Sequence, residues 1–542
     1  LVLSSILPAL LWPVVASASP DTLSDDDLII LNDALTPPDA EQAAVNMLGL
    51  SDATPGYYQT SDYMIGDVAV GLILPESDGS QEDQSEDWTD EEITQVQAEV
   101  QDALAWWASL EPSAHLTFTV EANLRVPIGY EPISHGLGEE KLWIGATMAA
   151  LGFANDSYFG AVRDYVNDLR DRTGSDWAFV IFVADSSADA DGRFADGYFA
   201  YAYVGGPFTV LSYDNSGYGI RNMDAVATHE IGHIFRALDQ YAAAGASCNY
   251  RSGYLGVKNG NSLSGGDCES DESSIMRGGI APYLTRSIDV FAQGQIGWWD
   301  SDGDGVLDPV DAEPELVVEE EATGGENKNL FSFSGRAWQE PVPSPDLVDS
   351  TISRIADVGA WIDKGTWVAA TAQDGRFDTL SETFHLQVGP LSPGLHTLEI
   401  QAVNSEGLVS TAFVTTTFIY DPVDGALNSS LISGPAASPA AGPVQFNGVA
   451  TAAYADPDPG APTVAVVQFS VDGGEWQDAT AQDGQFDSCI ENFDVALDGL
   501  PDGPHSLTIR AVNSDGQVEI NVEERAFQVQ TTYTIFLPFV VR

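Results

Sequence analysis

The stretch WVAATAQDGRFDTLSETF at residues 367–384 returns as WQDATAQDGQFDSCIENF at 476–493. GLHTLEIQAVNSEG at 394–407 returns as GPHSLTIRAVNSDG at 503–516, and both pairs keep one offset of 109 residues. A duplication of this length constrains the C-terminal part of the chain to two copies of one fold. Upstream, FSGRA (333–337) and FNGVA (446–450) agree only with a four-residue shift, which places an insertion in an early loop. Each unit of about 90 residues reads as short alternating strands with Asp-Gly turns, the pattern of a β-sandwich.

The units span 331–420 and 442–531, joined by a Ser/Ala/Pro-rich linker at 421–441. They resemble bacterial immunoglobulin-like or fibronectin-III-like modules. That likeness implies binding or spacing, with a cell-surface or polymer ligand as the partner class, and the fold alone does not name the ligand. The tail at 532–542 is either a last strand or a surface-sorting signal. A chain of 542 residues needs several cores. Its 82 acidic against 20 basic residues give a net charge of −62, which disfavours nucleic acid and anionic membranes as partners. The same carboxylates suit Ca2+ or high salt, and solubility alone explains them equally well.

The first 18 residues form an apolar run ending in Ala16-Ser17-Ala18, which reads as a signal peptide truncated at its start. The alternative, a membrane anchor, is disfavoured by Pro8 and Pro13. No later segment is long enough to span a bilayer, so the mature chain is expected to be secreted, free or surface-associated. Residues 19–62 are acidic and Pro-containing, an N-terminal segment or short propeptide. In an exported chain Cys248 and Cys268, 20 residues apart in a Gly/Ser/Asn-rich region, are expected to pair. Cys489 is left over. No cysteine precedes Cys248, so a cysteine-switch propeptide cannot operate.

Between 63 and 299 strands alternate with helices, predicting an α/β domain. DVAVGLIL (67–74) reads as a buried strand and WAFVIFVA (177–184) as a central parallel one. Thr89 and Glu92 have capping-box spacing before a helix whose apolar face is Ile93, Val96, Val100, Leu104 and Trp107. YFAYAYV and FTVLSY, split by Gly205-Gly206-Pro207, read as a hairpin or edge strands.

HEIGH (229–233) follows those strands at once. On a helix, residues i and i+4 share a face, so His229 and His233 can present two imidazoles to one ion. Glu230 sits one step round, beside the metal without binding it. With seven histidines in the chain, this spacing arises by accident in roughly one such chain in two hundred. A catalytic zinc needs a third protein ligand, and the next histidine is His385, in a different domain.

HEIGHIFRALD is similar to the HExxHxxGxxH/D pattern of metzincin metallopeptidases and places Asp239 at its last position. Aspartate occurs there in some members, such as snapalysin-like enzymes. DESSIMRGG (271–279) resembles their methionine turn, with Met276 as an apolar floor. The resemblance covers about 63–299. It implies an α/β (α+β) metzincin-like catalytic domain holding Zn2+ on His229, His233 and Asp239, followed by two all-β Ig-like sandwiches. Glu230 would be the general base of peptide-bond hydrolysis. A protein or peptide substrate would pair with the strands before the helix by strand addition. One departure stands out: Arg236 occupies the glycine position, where a left-handed residue costs roughly 1–2 kcal/mol. Either the turn is made differently, or the third ligand is a downstream glutamate such as Glu269 or Glu272, as in gluzincins. Tyr283 is either an oxyanion donor or a packing residue.

DSDGDGVLDPVD places Asp300, Asp302, Asp304, Asp308 and Asp311 at positions 1, 3, 5, 9 and 12 of an EF-hand-type loop, with the Val306 carbonyl at position 7. It resembles thrombospondin-type-3 and dockerin loops and implies Ca2+ at 300–313, followed by an acidic linker at 314–330. Asp189, Asp191 and Asp196 are a weaker calcium set, for which a plain surface loop is the simpler reading. The expectation is a secreted, calcium-stabilised, zinc-dependent endopeptidase. The rival is a non-catalytic, adhesin-like surface protein whose metal site only holds the fold.

Overall fold

WAFVIFVA is buried along its whole length because both of its faces are covered. The computed structural model describes residues 34–38, 53–322, 331–389, 391, 394–410, 414–420, 427–434, 437–439, 443–452, 462–519 and 522–530. The expected signal peptide at 1–18 and the tail at 532–542 lie outside these. In the first unit, β1 (Ala34–Leu35), β2 (Asp67–Ser77), β3 (Thr117–Ile128), β4 (Trp177–Ala184), β5 (Ala200–Tyr203) and β6 (Phe208–Ser212) form one sheet in the order β1-β5-β6-β4-β2-β3. β4 pairs in parallel with β2 and β6, while β5 runs antiparallel to β6.

Ala178, Val180, Phe182 and Ala184 of β4 pack under α2 (Glu140–Ala150) and α3 (Tyr158–Thr173), against Trp143, Val162 and Leu169 among others. The opposite face meets Tyr63 and Phe235, whose rings lie 4.8 and 6.0 Å from Trp177 and Phe179. α1 (Asp90–Ala108) starts at the expected capping box and buries the expected face. The Trp107 indole donates to the Thr228 carbonyl at 3.0 Å, tying α1 to α4 (Met223–Ile234), the helix of HEIGH. The unit is completed by β7 (Arg251–Ser252), β8 (Val257–Lys258), α5 (Ile280–Thr285) and α6 (Val290–Gln295).

The second unit holds two sandwiches. The first is built from β9 (Glu315–Ala322), β10 (Phe331–Trp338), β11 (Ile355–Ile362), β12 (Thr366–Ala369), β13 (Thr371–Ala372), β14 (Ser381–Val388), β15 (Gly394–Asn404) and β16 (Val414–Tyr420). Its sheets are β13-β14-β10-β9 and β12-β11-β15-β16. The second comprises β17 (Asn428–Ser433), β18 (Ala437–Pro439), β19 (Val444–Thr451), β20 (Val464–Val471), β21 (Gln477–Asp478), β22 (Thr480–Ala481), β23 (Ile490–Leu497), β24 (Gly503–Asn513) and β25 (Glu523–Gln530). Its sheets are β17-β19-β23-β22 and β18-β25-β24-β20-β21. The cores repeat with the sequence: Val358, Phe384, Leu398 and Ile400 in one are Val467, Phe493, Leu507 and Ile509 in the other.

Four boundaries differ from the sequence reading. The 314–330 segment is not all linker: β9 pairs antiparallel with β10, and Leu316 turns inward. The 421–441 segment contains β17 and β18, paired with β19 and β25, because Leu431 enters the core. The first unit starts before residue 63: Thr60, Ser61 and Asp62 are buried, and Ala178 N–H bonds the Thr60 carbonyl at 3.0 Å. Finally, Val342–Ser350, inside the expected 331–420 module, belongs to the first unit. Tyr254 anchors it, donating to the Val342 carbonyl at 2.6 Å and accepting from Ser350 N–H at 2.9 Å.

Candidate metal centre

His229 and His233 project from one face of α4 and are buried. Each imidazole is oriented through Nδ1, by the Ile275 carbonyl at 2.8 Å for His229 and the Ala237 carbonyl at 2.7 Å for His233. A carbonyl only accepts, so each Nδ1 donates, and Nε2 is the atom of each ring left to reach a metal. The two Nε2 atoms face each other at 3.2 Å. Asp239 Oδ1 lies 3.1 Å from His229 Nε2 and 3.2 Å from His233 Nε2. Three potential ligand atoms therefore converge in a buried place. Asp239 Oδ2 is also buried with no hydrogen-bond partner. Such an arrangement fits a divalent cation held by two imidazoles and a carboxylate.

The turn from His233 to Asp239 is made with Arg236 in the left-handed conformation, at φ 76°. Arg236 N–H bonds the His233 carbonyl at 2.9 Å and Ala237 N–H bonds the Gly232 carbonyl at 2.9 Å. These are the two bonds of a Schellman C-cap, a motif that usually has glycine at the left-handed position. The cost of a side chain there is offset by its surroundings. The guanidinium donates to Asp62 Oδ1 at 2.8 Å, and Gly205 leaves it room, since a Cβ there would meet Arg236 Cζ at 2.7 Å. Beyond the turn, Leu238 N–H bonds Gln295 Oε1 at 2.9 Å and Asn259 Nδ2 bonds the Asp239 carbonyl at 2.8 Å.

Met276 is wholly buried under the helix in a 3-10 turn, Ile275–Arg277, and its carbonyl accepts from Gln240 N–H at 2.8 Å. Gly232 permits that approach, because a Cβ there would sit 2.7 Å from the Met276 sulfur. Cys248 and Cys268 are bridged, with Cα atoms 5.6 Å apart, and Cys489 is free. Glu230 is buried and, with His229, lines a small pocket with Phe199, Tyr218, Gly278 and Gly279.

Other sequence-singled residues lie elsewhere. Glu269 pairs with Lys258 and is exposed, and Glu272 is engaged through its backbone with Asn261, so neither joins the histidines. Tyr283 is a packing residue: its ring stacks on Trp106 at 6.1 Å. Burial, followed by its bond to Asp224, pushes its hydroxyl pKa up. β6 is interior to the sheet, and β5 is not an edge, because β1 lies alongside it in parallel, with Val204 N–H on the Leu35 carbonyl at 2.8 Å.

In the acidic loop, Asp300, Asp302 and Asp304 gather carboxylate oxygens as a cation site would. Asp308 and Asp311 are not in that group. Asp308 turns to Ser301, accepting from its N–H at 2.7 Å, and starts a 3-10 turn, Asp308–Val310. Val306 enters the loop through its N–H, 2.8 Å from Asp304 Oδ1. Asp189 and Asp191 cap their own turns, while Asp196 accepts from Leu137 N–H at 2.6 Å, so those three are not brought together.

Asp62 is the residue of this region that sequence reasoning missed. It lies 174 positions from Arg236, and no spacing signal links them.

No family model and no curated protein matches the chain. Among solved structures, it is similar to fibronectin(III)-like modules of Clostridium thermocellum CbhA, at 14% identity, over 41% of this chain and all of that one, with a TM-score of 0.15. It is also similar to the Escherichia coli adhesin FdeC, at 16% identity, over 42% of this chain and 68% of that one, with a TM-score of 0.17. Domains 5-6 of the S-layer protein SbsC match at 12% identity, over 40% of this chain and all of that one, with a TM-score of 0.14. Among the described residues, no helix is long and apolar enough to cross a membrane.

Proposed function

We propose that this chain is an exported, metzincin-like zinc endopeptidase. The observation that carries the reading is the convergence of His229 Nε2, His233 Nε2 and Asp239 Oδ1 within 3.2 Å in a buried place. Zinc bound by these three would acidify water and polarise a scissile carbonyl. Glu230 follows His229 on the helix and lines the adjoining pocket, which supports a role for its carboxylate in taking a proton from the attacking water and returning it to the leaving amine. Met276 packs against Gly232 of the ligand helix, as an apolar floor would. Substrate would be extended polypeptide lying over the pocket, and Ca2+ on Asp300, Asp302 and Asp304 would brace the end of the domain. The test is Glu230→Gln: casein cleavage should fall by at least about 100-fold while zinc content stays at the parent level. Cleavage at the parent rate by that variant would refute the role.

The second reading is a non-catalytic cell-surface protein whose zinc only holds the fold. The two tandem sandwiches favour it, since such modules serve as spacers and binders. It predicts no chelator-sensitive cleavage by the parent chain and no change on Glu230→Gln.

A further inference from the structure

Asp239 is carried on a short turn, and the groups that steady this turn are themselves held by one segment from far along the chain. Asp62 Oδ1 accepts from the Arg236 guanidinium at 2.8 Å, Ser252 Oγ donates to the Arg236 carbonyl at 2.6 Å, and Gln295 Oε1 accepts from Leu238 N–H at 2.9 Å. Ser252 belongs to the β7–β8 hairpin, and Gln295 closes on that hairpin. Its Nε2 donates to the Val257 carbonyl at 3.4 Å, and a Cβ on Gly253 would collide with its own carbonyl. The turn therefore has two outside supports, Asp62 and the hairpin.

Val342–Ser350 grips both. At Asp62, Oδ2 accepts from Ser350 Oγ at 3.4 Å and from Gln59 Nε2 at 3.0 Å, and the same Gln59 amide reaches the Val348 carbonyl at 3.4 Å. At the hairpin, the Tyr254 hydroxyl bonds Val342 and Ser350, and the Tyr254 carbonyl accepts from Ser344 Oγ at 2.6 Å. Gly256 leaves room for Pro345, whose Cγ would lie 2.6 Å from a Cβ there. Asp62, Tyr254 and Ser350 are all buried. In sequence the segment lies between β10 and β11, in the stretch where the first sandwich is four residues longer than the second. A loop that only joined two strands would run over the surface with its polar groups in water. This one places buried hydrogen bonds on the supports of a metal ligand.

We propose that Val342–Ser350 is a positioning segment of the metal centre. Tyr254, Ser344 and Ser350 are its positioning residues: they lock Asp62 and the β7–β8 hairpin and, through them, Asp239. The inference rests on the zinc reading of that centre and adds that the ligand set is complete only with a loop drawn from the first sandwich. Groups that orient a metal ligand tune affinity without touching the ion. Two imidazoles on one helix are fixed by the helix itself, whereas a carboxylate beyond the helix end depends on what holds its turn. Loosening the segment should thus release Asp239 and leave the histidines in place.

The test uses the full-length chain. Zinc affinity is read by competition with a chromophoric chelator, and coordination by the visible spectrum of the cobalt-substituted chain. Tyr254→Phe, which keeps the ring against Tyr63, should weaken zinc binding. Tyr254→Phe/Ser344→Ala should weaken it by at least about tenfold and shift the cobalt spectrum toward that of Asp239→Ala. In the Asp239→Ala background the same double substitution should cost no further affinity, because the ligand it positions is gone. Val162→Ala, in the core on the other face of the sheet, separates positioning from stability: it should lower the melting temperature and leave zinc affinity and the cobalt spectrum at the parent values. Affinity and spectrum unchanged by the double substitution would overturn the proposal, as would an equal loss in the Asp239→Ala background. A parent chain that takes up no zinc would overturn the metal-centre reading and this inference with it.

Discussion

Arg236 shows how a strained residue is kept. Its left-handed backbone costs roughly 1–2 kcal/mol, yet its guanidinium is the counter-charge of buried Asp62. Removing one partner should therefore hurt more than removing both. Asp62→Asn or Arg236→Gly alone should each destabilise the first unit by about 3 kcal/mol, because a buried charge loses its partner. The double variant should recover most of that loss, since glycine also relieves the turn. Thermal melts of the four chains give the coupling, and additive losses would contradict it. Asp239→Ala should lower zinc affinity sharply without unfolding the helix, as read by competition with a chromophoric chelator. The histidines and Glu230 were legible because helical spacing alone sets them on one site. The turn was not, because its compensation lies in residue 62, on a segment read as preceding the domain.

The two sandwiches differ at elements their shared sequence does not predict. Position 519 is a buried glutamate in the second, where the first has Ser410 at the repeat-equivalent place. Glu519 accepts from Ser429 N–H at 3.0 Å and Ala511 N–H at 2.8 Å, tying β17 to β24. Burial pushes its carboxyl up to about 7 from 4.5. His505 is raised above 6.5 by the Pro501 carbonyl and then Asp472, while Asp472 is lowered below 3.8, chiefly by His505. Both raised groups bind protons more tightly when folded. Their contribution is complete below 4.5 for Glu519 and below 6.5 for His505, and it is lost as pH rises through the folded values. That of Asp472 is present above 3.8 and lost as pH falls through its folded value. The second sandwich should thus be most stable in mild acid and lose on the order of 3 kcal/mol from Glu519 alone by alkaline pH. Calorimetry of the full chain at several pH values checks this: Glu519→Gln should flatten the slope of one transition, and an unchanged slope would contradict it. β9 and β17 escaped the sequence reading for a related reason. Leu316 and Leu431 enter the cores, but Val317 and Ile432 beside them are exposed and Ser429 is buried, an alternation too irregular to separate a strand from a linker.

At the scale of the whole molecule, the duplication fixed the number of sandwiches, and the four-residue difference between copies located the irregular loop. Its destination was not readable, because the partners of Val342–Ser350 are Tyr254 and its neighbours in the first unit. The carboxylates likewise divide into kinds that composition cannot distinguish: solvated surface, the Asp300 loop, and single buried groups such as Glu140 and Glu519. Calcium should raise the melting temperature of the first unit, and chelation of zinc should lower it separately, as two additive shifts in one calorimetric series. A single metal accounting for both shifts would contradict that division. The central claim is the three-residue metal centre, and X-ray absorption at the zinc edge on the full-length chain tests it most directly. The expected result is one zinc whose shell contains two imidazole nitrogens and a carboxylate oxygen at about 2.0–2.2 Å, with the oxygen lost in Asp239→Ala. No bound zinc, or a shell unchanged by that substitution, would contradict it.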